Sequence, residues 1–395
     1  MTEDRPSTAL LHEVPTTSSL RVGPRSEKPR IMTLEQMTMV ASVMPTEAVP
    51  DRFRIRPREE PALFVASESE PEVTVSKHRL PGDKPVWRIA VHSSKRALPG
   101  LAVQAVERVM PGTVAGRARS ISNFGYRPPW VGIDYYPKVI PRRRRGFARY
   151  AAELSGHRTP VPMTLLEAHE AVSTFYPWRT IGKVFVGNDP NFRNENASGT
   201  GVLVGPNLMM TASHLVPWDE ASGFWWMRFA PGFREGEPSG SSFVTRVRGI
   251  RNPDSDFEAS GYDYVICQLQ QPMGEQLGWM GTQSFGDEDA YTGARWISVG
   301  YPGWFFNANR PAVEFDIDID DIDNDDPGLE LEITDGQAGG DGWSGGPLWG
   351  VIDNDFRVIG IRSGTEKDEL DPRRGVFSGG RHMVDLVKHG LLHFK

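Results

Sequence analysis

The rhythm of apolar and polar positions changes near residue 177. From Met1 to about Glu60 the chain is rich in Pro, Ser, Thr and charge and has no sustained period, which predicts a leader without a packed core. Between Pro61 and Arg119, Val86–Val91 alternates like a strand and Leu101–Val109 reads as one helix. A second helix is predicted over Met163–Thr174, where Thr164 and Glu167 have capping-box spacing. After Pro177 come short apolar runs separated by Gly, Pro and Asn. Residues 181–186, 201–204, 208–211, 225–229, 243–247, 264–269, 296–299, 313–319, 329–333, 347–352 and 358–361 all read as strands. Only at the end does a helical period return, with Met383, Leu386, Val387 and Leu391 on one face. So many strands with so few helices predict an all-β region, either closed barrels or two packed sheets.

Composition sharpens this division. A chain of 395 residues exceeds one ordinary core, so at least two parts are expected: a leader over 1–60, a basic segment over 61–172 that is either a pro-region or a small module, and the β-rich domain over 173–395. The 41 Gly and 32 Pro favour turns over long helices. Cys267 is the single cysteine, which excludes an intrachain disulfide framework and a cysteine-built zinc site. Within its strand it reads as a buried apolar residue rather than a nucleophile. The N-terminus has acids where a secretory signal needs a positive start, and no apolar run reaches the roughly 18 residues of a membrane span. A soluble protein is expected, cytoplasmic in preference to secreted; Asn196-Ala197-Ser198 would accept a glycan only on a secretory route.

The net charge of −7 hides an asymmetry: residues 1–170 carry 26 Lys/Arg against 18 Asp/Glu, and residues 171–395 carry 18 against 33. The basic part contains Arg142-Arg143-Arg144-Arg145 between Pro141 and Gly146. Such a run suits a processing protease, a nuclear-import receptor, or an anionic partner such as nucleic acid or a membrane surface, and is equally a solvated charge run.

Three segments carry candidate chemistry. Gly199–Val216, G-T-G-V-L-V-G-P-N-L-M-M-T-A-S-H-L-V, delivers His214 at the end of a strand. Gly261–Leu269, G-Y-D-Y-V-I-C-Q-L, opens a buried strand with Asp263. Asp341–Leu348, D-G-W-S-G-G-P-L, sets Ser344 among glycines just before a strand. In this order the segments resemble those of the trypsin/chymotrypsin-like serine peptidases, in the disulfide-poor branch typified by bacterial glutamyl endopeptidases. The likeness spans about Tyr176 to Leu391 and includes S-V-G-Y-P-G at Ser298–Gly303 and V-I-G-I at Val358–Ile361; residues 1–175 lie outside it.

The resemblance implies two six-stranded antiparallel β-barrels with a C-terminal helix, preceded by a largely irregular N-terminal segment. It also implies a serine endopeptidase acting on polypeptides through an acyl-enzyme on Ser344, and leaves open a zymogen with its own N-terminal segment as intramolecular inhibitor. The chemistry needs these residue types. A serine hydroxyl is a weak nucleophile near neutral pH and requires a base, the role of His214. Asp263 would fix the histidine tautomer, and the amides of Gly342 and Ser344 would form the oxyanion hole. No cofactor is implied.

Two departures from the family pattern matter. Trp343 stands where trypsin and chymotrypsin have the aspartate that pairs with a newly cut N-terminus, and an indole cannot form that ion pair. The expected substrate-pocket positions are Ala338, Gly339 and Arg362. Ala338 replaces the acid that selects Arg or Lys, while Arg362 stands where the glutamyl endopeptidases carry a pocket histidine, so an acid-selecting pocket and a small or apolar one both remain open. The acidic run 314–333 echoes a calcium-loop count at Asp321, Asp323, Asp325 and Glu332. It lacks the loop glycine and flanking helices, and alternation of Asp with Ile predicts a hairpin instead, so no metal is expected. Two other readings are a catalytically silent binding module on the same fold, and a protein whose basic N-terminal region binds an anionic partner.

Overall fold

The computed structural model describes residues 29–37, 43–53, 72–79, 85–92, 102–110, 120–133, 166–167, 175–189, 195–218, 224–251, 261–292, 296–325, 328–333, 339–365 and 375–394. The run Arg142–Arg145, most of the segment read as a helix over Met163–Thr174, and Ala338 lie outside these residues.

Two curved sheets form the body. The first contains β3 (Ala105–Arg108), β6 (Ile181–Gly187), β7 (Ala197–Gly205), β8 (Leu208–Thr211), β9 (Trp226–Pro231), β10 (Ser242–Gly249) and β11 (Val265–Leu269). Its order is β11-β8-β7-β6-β9-β10-β3, and β10 also pairs with β11, so six strands close into a barrel with β3 attached outside. Closure pairs the strands all round except along Arg246–Gly249 of β10, which β9 does not cover, and points alternate side chains inward. Val184, Val202, Met210, Phe229, Val247 and Ile266 are all fully buried there.

The second sheet contains β4 (Ile121–Asn123), β5 (Leu166–Glu167), β12 (Gly281–Ser284), β13 (Trp296–Gly300), β14 (Ala312–Ile317), β15 (Ile319–Asp325), β16 (Gly328–Ile333), β17 (Pro347–Ile352), β18 (Asp355–Thr365) and β19 (Gly375–Gly379). The order β15-β16-β19-β18-β17-β13-β14-β5, with β12 on β18 and β4 on β12, curls around a core of Trp296, Ile317, Leu331, Leu348, Ile359 and Phe377. The all-β architecture is the expected one, except that among the described residues this second sheet is a curled half-barrel rather than a closed ring. Trp178, fully buried, packs edge-on against Trp349 at 5.2 Å and so joins the start of the first barrel to the second sheet. The C-terminal helix Arg381–His393 buries Met383, Leu386 and Val387 as its period predicts.

The N-terminal third departs from the expectations. Residues 29–37 and 43–53, read as part of a leader without a core, include the fully buried Met37, and Ile31 bridges Ile352 while Val43 bridges Ile133. Residues 101–109, read as a helix, instead supply β3, which runs parallel to β10 with Ala105 opposite Arg246. The local pattern fits both periods, and the free edge of β10 decides by providing hydrogen-bond partners; Glu107 also pairs with Arg248 at 2.7 Å. Leu166–Glu167, inside the second predicted helix, likewise forms β5 against β14. The remaining N-terminal strands, β1 (Glu72–Arg79) and β2 (Pro85–His92), make a separate hairpin. The acidic run forms the predicted hairpin, β15 on β16, with Asp323 opposite Glu330.

Met37 tests whether the N-terminal stretch is integral. Met37→Ala should lower the unfolding free energy by about 2–5 kcal/mol in denaturant titrations, the usual range for a buried Met→Ala change. A variant within ~0.5 kcal/mol of wild type would show that the stretch does not contribute to the core.

Candidate active site

Three loops meet where the first barrel faces the second sheet. β8 ends at Thr211, and His214 follows on the single 3-10 turn Ser213–Leu215. That turn is tied down by Ser213 Oγ, which donates to Ile250 O at 2.5 Å, and by Trp218 Nε1, which donates to Ser213 O at 3.0 Å. The imidazole remains 32% exposed while Asp263 is fully buried. Asp263 comes from the turn before β11. Ser344, half-buried, sits in the turn that leads into β17.

Asp263 is a charge in a dry site, and three donors meet it. The amide of His214 donates to Oδ1 at 2.9 Å; His214 Nδ1 and Ser363 Oγ each donate to Oδ2 at 2.6 Å. Carboxylates held this way keep their charge despite burial. Burial pushes the Asp263 pKa up, but His214 and the hydrogen bonds outweigh it, and the net shift is below the ordinary 3.8. For His214, burial works against the charged ring, Asp263 outweighs it, and the net is a pKa raised above 6.5. With the Nδ1 proton held by Asp263, Nε2 is left as the acceptor, which is the tautomer a general base needs.

The Ser344 turn is fastened to both sheets. Thr200 N on β7 donates to Ser344 O at 2.7 Å, and Gly345 N donates to Arg362 O on β18 at 2.8 Å. Gly345 has φ +83°, and a β-carbon there would collide with the carbonyl of Thr200 and the hydroxyl of Thr211, so the close approach of this turn to the first barrel requires glycine. Among the described residues, neither the Gly342 amide nor the Ser344 amide donates a hydrogen bond within the protein. A cavity of about 180 Å³ opens beside His214, lined by Val186, Ala197, Leu215, Pro217 and Trp225 among others.

His214 and Asp263 are thus in direct contact, and the Ser344 turn is bonded to the strand pair that leads to His214. Of the pocket positions, Gly339 is described, and its carbonyl accepts a 3.0 Å hydrogen bond from Trp304 Nε1. The Arg362 guanidinium is 4% exposed; Nη1 donates to Val376 O at 3.0 Å and the group lies 5.5 Å from the centre of the Phe377 ring. Burial pulls its pKa down to about 10, with the Glu314 carboxylate acting in the opposite sense. Cys267 is fully buried with its pKa raised by burial, as suits an inert core thiol. Sequence reasoning missed Ser363 and Thr200. Ser363 is 100 positions from Asp263, and only the sheet topology brings it there.

No family model matches the chain, and no curated protein does either. Similar solved structures include a Glu endopeptidase in complex with MPD, at 16% identity and a TM-score of 0.45, covering 58% of this chain and 97% of that one. A thermostable serine protease, AL20, from an extremophilic microorganism matches at 19% identity and a TM-score of 0.41, covering 54% of this chain and 98% of that one. The protease Anisep from Arthrobacter nicotinovorans matches at 17% identity and a TM-score of 0.39, covering 53% and 94%. Each of these is a peptidase to which the chain is similar in structure.

The histidine supplies a pH signature. Because the His214 pKa is raised, its pairing adds stability that is full below the unfolded-state value and is lost as pH rises through the folded value; the lowered Asp263 pKa adds stability that is lost on acidification through its folded value. An NMR titration of the His214 ring should give a midpoint above 6.5, and Asp263→Asn should bring it down. A wild-type midpoint below 6.5 would contradict the pairing.

Proposed function

We propose that the chain is a serine endopeptidase that hydrolyses polypeptides, with Ser344 as nucleophile, His214 as base and then acid, and Asp263 as the group that orients the imidazole. The observation that carries this reading is the fully buried Asp263 bonded to the ring and amide of His214, together with a glycine-rich Ser344 turn bonded to β7 whose Gly342 and Ser344 amides have no partner among the described residues. In this reading Ser344 Oγ attacks the scissile carbonyl as Nε2 takes its proton. The carbonyl oxygen becomes anionic against the Gly342 and Ser344 amides, the leaving amine takes the proton back, and water repeats the sequence on the acyl-enzyme.

Specificity centres on Arg362. A substrate carboxylate could use its charge, but the guanidinium is buried and already donates to Val376 O, which favours a pocket that is small or apolar over one that is simply cationic. A panel of peptides differing only in the residue before the cut separates the two, since an acid-selecting pocket would prefer Glu or Asp by at least about tenfold.

As for a zymogen restrained by its own N-terminal segment, none of the described N-terminal residues hydrogen-bonds to His214, Asp263 or Ser344. They bond to the outside of the barrel and to the turn after β17, as Val103 N does with Trp225 O and Arg30 N with Asp353. That placement favours a structural role for the described part. Arg142–Arg145 lie outside the described residues, so an anionic partner draws no support from the fold.

A fluorophosphonate probe tests the enzyme directly. The folded wild-type chain should be labelled at Ser344, with labelling abolished in Ser344→Ala and slowed about 10⁴-fold in Asp263→Asn. Absence of labelling in folded protein would leave the silent binding module as the better reading.

A further inference from the structure

The turn that carries Ser344 is held more completely than the reaction requires of the nucleophile alone. Six consecutive carbonyls accept hydrogen bonds. Gly339 O accepts from Trp304 Nε1 at 3.0 Å and Gly340 O from Trp343 N at 3.0 Å. Asp341 O accepts from Gly303 N at 2.8 Å, Gly342 O from Thr200 Oγ1 at 2.8 Å, Trp343 O from Gly346 N at 2.8 Å and Ser344 O from Thr200 N at 2.7 Å. In a trans peptide the N–H points opposite to the C=O of the same unit. Holding the Asp341 carbonyl therefore sets the direction of the Gly342 N–H, and holding the Trp343 carbonyl sets that of the Ser344 N–H. These are the two amides left without a partner among the described residues.

Two side chains reach this turn from outside it. Thr200, fully buried on the first barrel, accepts from Tyr301 N at 3.0 Å and donates to Gly342 O, so its one hydroxyl bridges the Tyr301 strand end to the peptide between the two free amides. Trp343 is fully buried, and its Nε1 donates to Ser298 Oγ on β13 at 2.9 Å. Gly300 makes room for it, because a β-carbon there would overlap the indole. The indole fills its site and satisfies its one donor, so the turn is anchored by neutral groups throughout.

We propose that Thr200 and the Trp343–Ser298 pair are positioning residues that lock the oxyanion turn in its working form in the uncut chain, so that no freed N-terminal amine is needed to order it. This inference rests on the peptidase reading and adds to it which residues hold the site and in which form of the chain. Thr200 touches no substrate; it acts through the Gly342 peptide. Its loss leaves both the Tyr301 amide and the Gly342 carbonyl without their partner and loosens the peptide that joins the two donor-bearing peptides, so that the Gly342 and Ser344 N–H groups are no longer held toward one point. Removal of one such donor typically slows the reaction by about 10²–10³-fold.

The test uses the full-length chain, its intact mass verified, with a fluorophosphonate probe over a range of concentrations, so that the limiting labelling rate is separated from the half-saturating concentration. Wild type should label without any cut. Thr200→Val should lower the limiting rate by about 10–100-fold with little change in half-saturation, and Thr200→Ser, which restores the hydroxyl, should recover most of it. If Thr200→Val fails to give a cooperative thermal melt, Ser298→Ala carries the test, with an expected fall of at least fivefold in the limiting rate. A wild-type rate in the folded variants, or no recovery in Thr200→Ser, would overturn the positioning role. Labelling of wild type only after N-terminal cleavage would overturn the uncut working form while leaving the peptidase reading intact. No labelling of cut or uncut wild type would overturn the peptidase reading itself and this inference with it.

Discussion

A buried carboxylate with no partner would cost several kcal/mol, and Asp263 is fully buried. Its donors come from both halves of the molecule. His214 belongs to the end of β8 in the first barrel, and Ser363 belongs to β18 in the second sheet. The charge can be satisfied only when the two sheets are docked in one relative position. Removing one partner of such a buried pair typically costs about 3–5 kcal/mol, more than replacing the whole arrangement with apolar groups would. The arrangement is therefore better understood as a device for placing the imidazole than as a device for stability.

The same seam is crossed a second time by the Ser344 turn. Thr200 on β7 bonds the turn through its backbone amide and its hydroxyl, while Arg362 on β18 bonds it through its main chain. Both crossings end on β18 at adjacent residues, Arg362 and Ser363. One strand of the second sheet thus registers the Ser344 turn and the Asp263 carboxylate together, and a shift of β18 would disturb both at once. The second sheet need not close for this, because its strands β13, β17, β18 and β19, which support the site, are all internal to its order.

What was legible in the sequence follows from the range over which each signal acts. The strands after Pro177 and the terminal helix could be read because burial on one face imposes a local period. His214, Asp263 and Ser344 could be read because each sits in a short segment of particular composition. Ser363 and Thr200 could not: a hydroxyl in a strand has many innocuous uses, and their partners lie 100 and 142 positions away. β3 was misread for a related reason. Ala105–Arg108 has a pattern compatible with either period, and the deciding factor is a sheet edge more than a hundred residues further on. Met37 was lost in a polar stretch because one buried apolar residue makes no pattern.

The handling of Trp343 connects stability to mechanism. A carboxylate at this position would be a charge in a fully buried site, and it would require a cation delivered to it. An indole in the same volume needs only one acceptor, and Ser298 supplies it at 2.9 Å. Replacing a buried ion pair with well-packed apolar groups is often neutral or stabilising, so the exchange need not weaken the turn. It does change what the turn responds to. An ion-pair anchor ties order to the arrival of a charged group, whereas an indole anchored to a hydroxyl forms with the fold itself. The six held carbonyls from Gly339 to Ser344, Trp343's own among them, then become part of the folded state, and in the proposed reading the Gly342 and Ser344 amides are fixed before any substrate arrives.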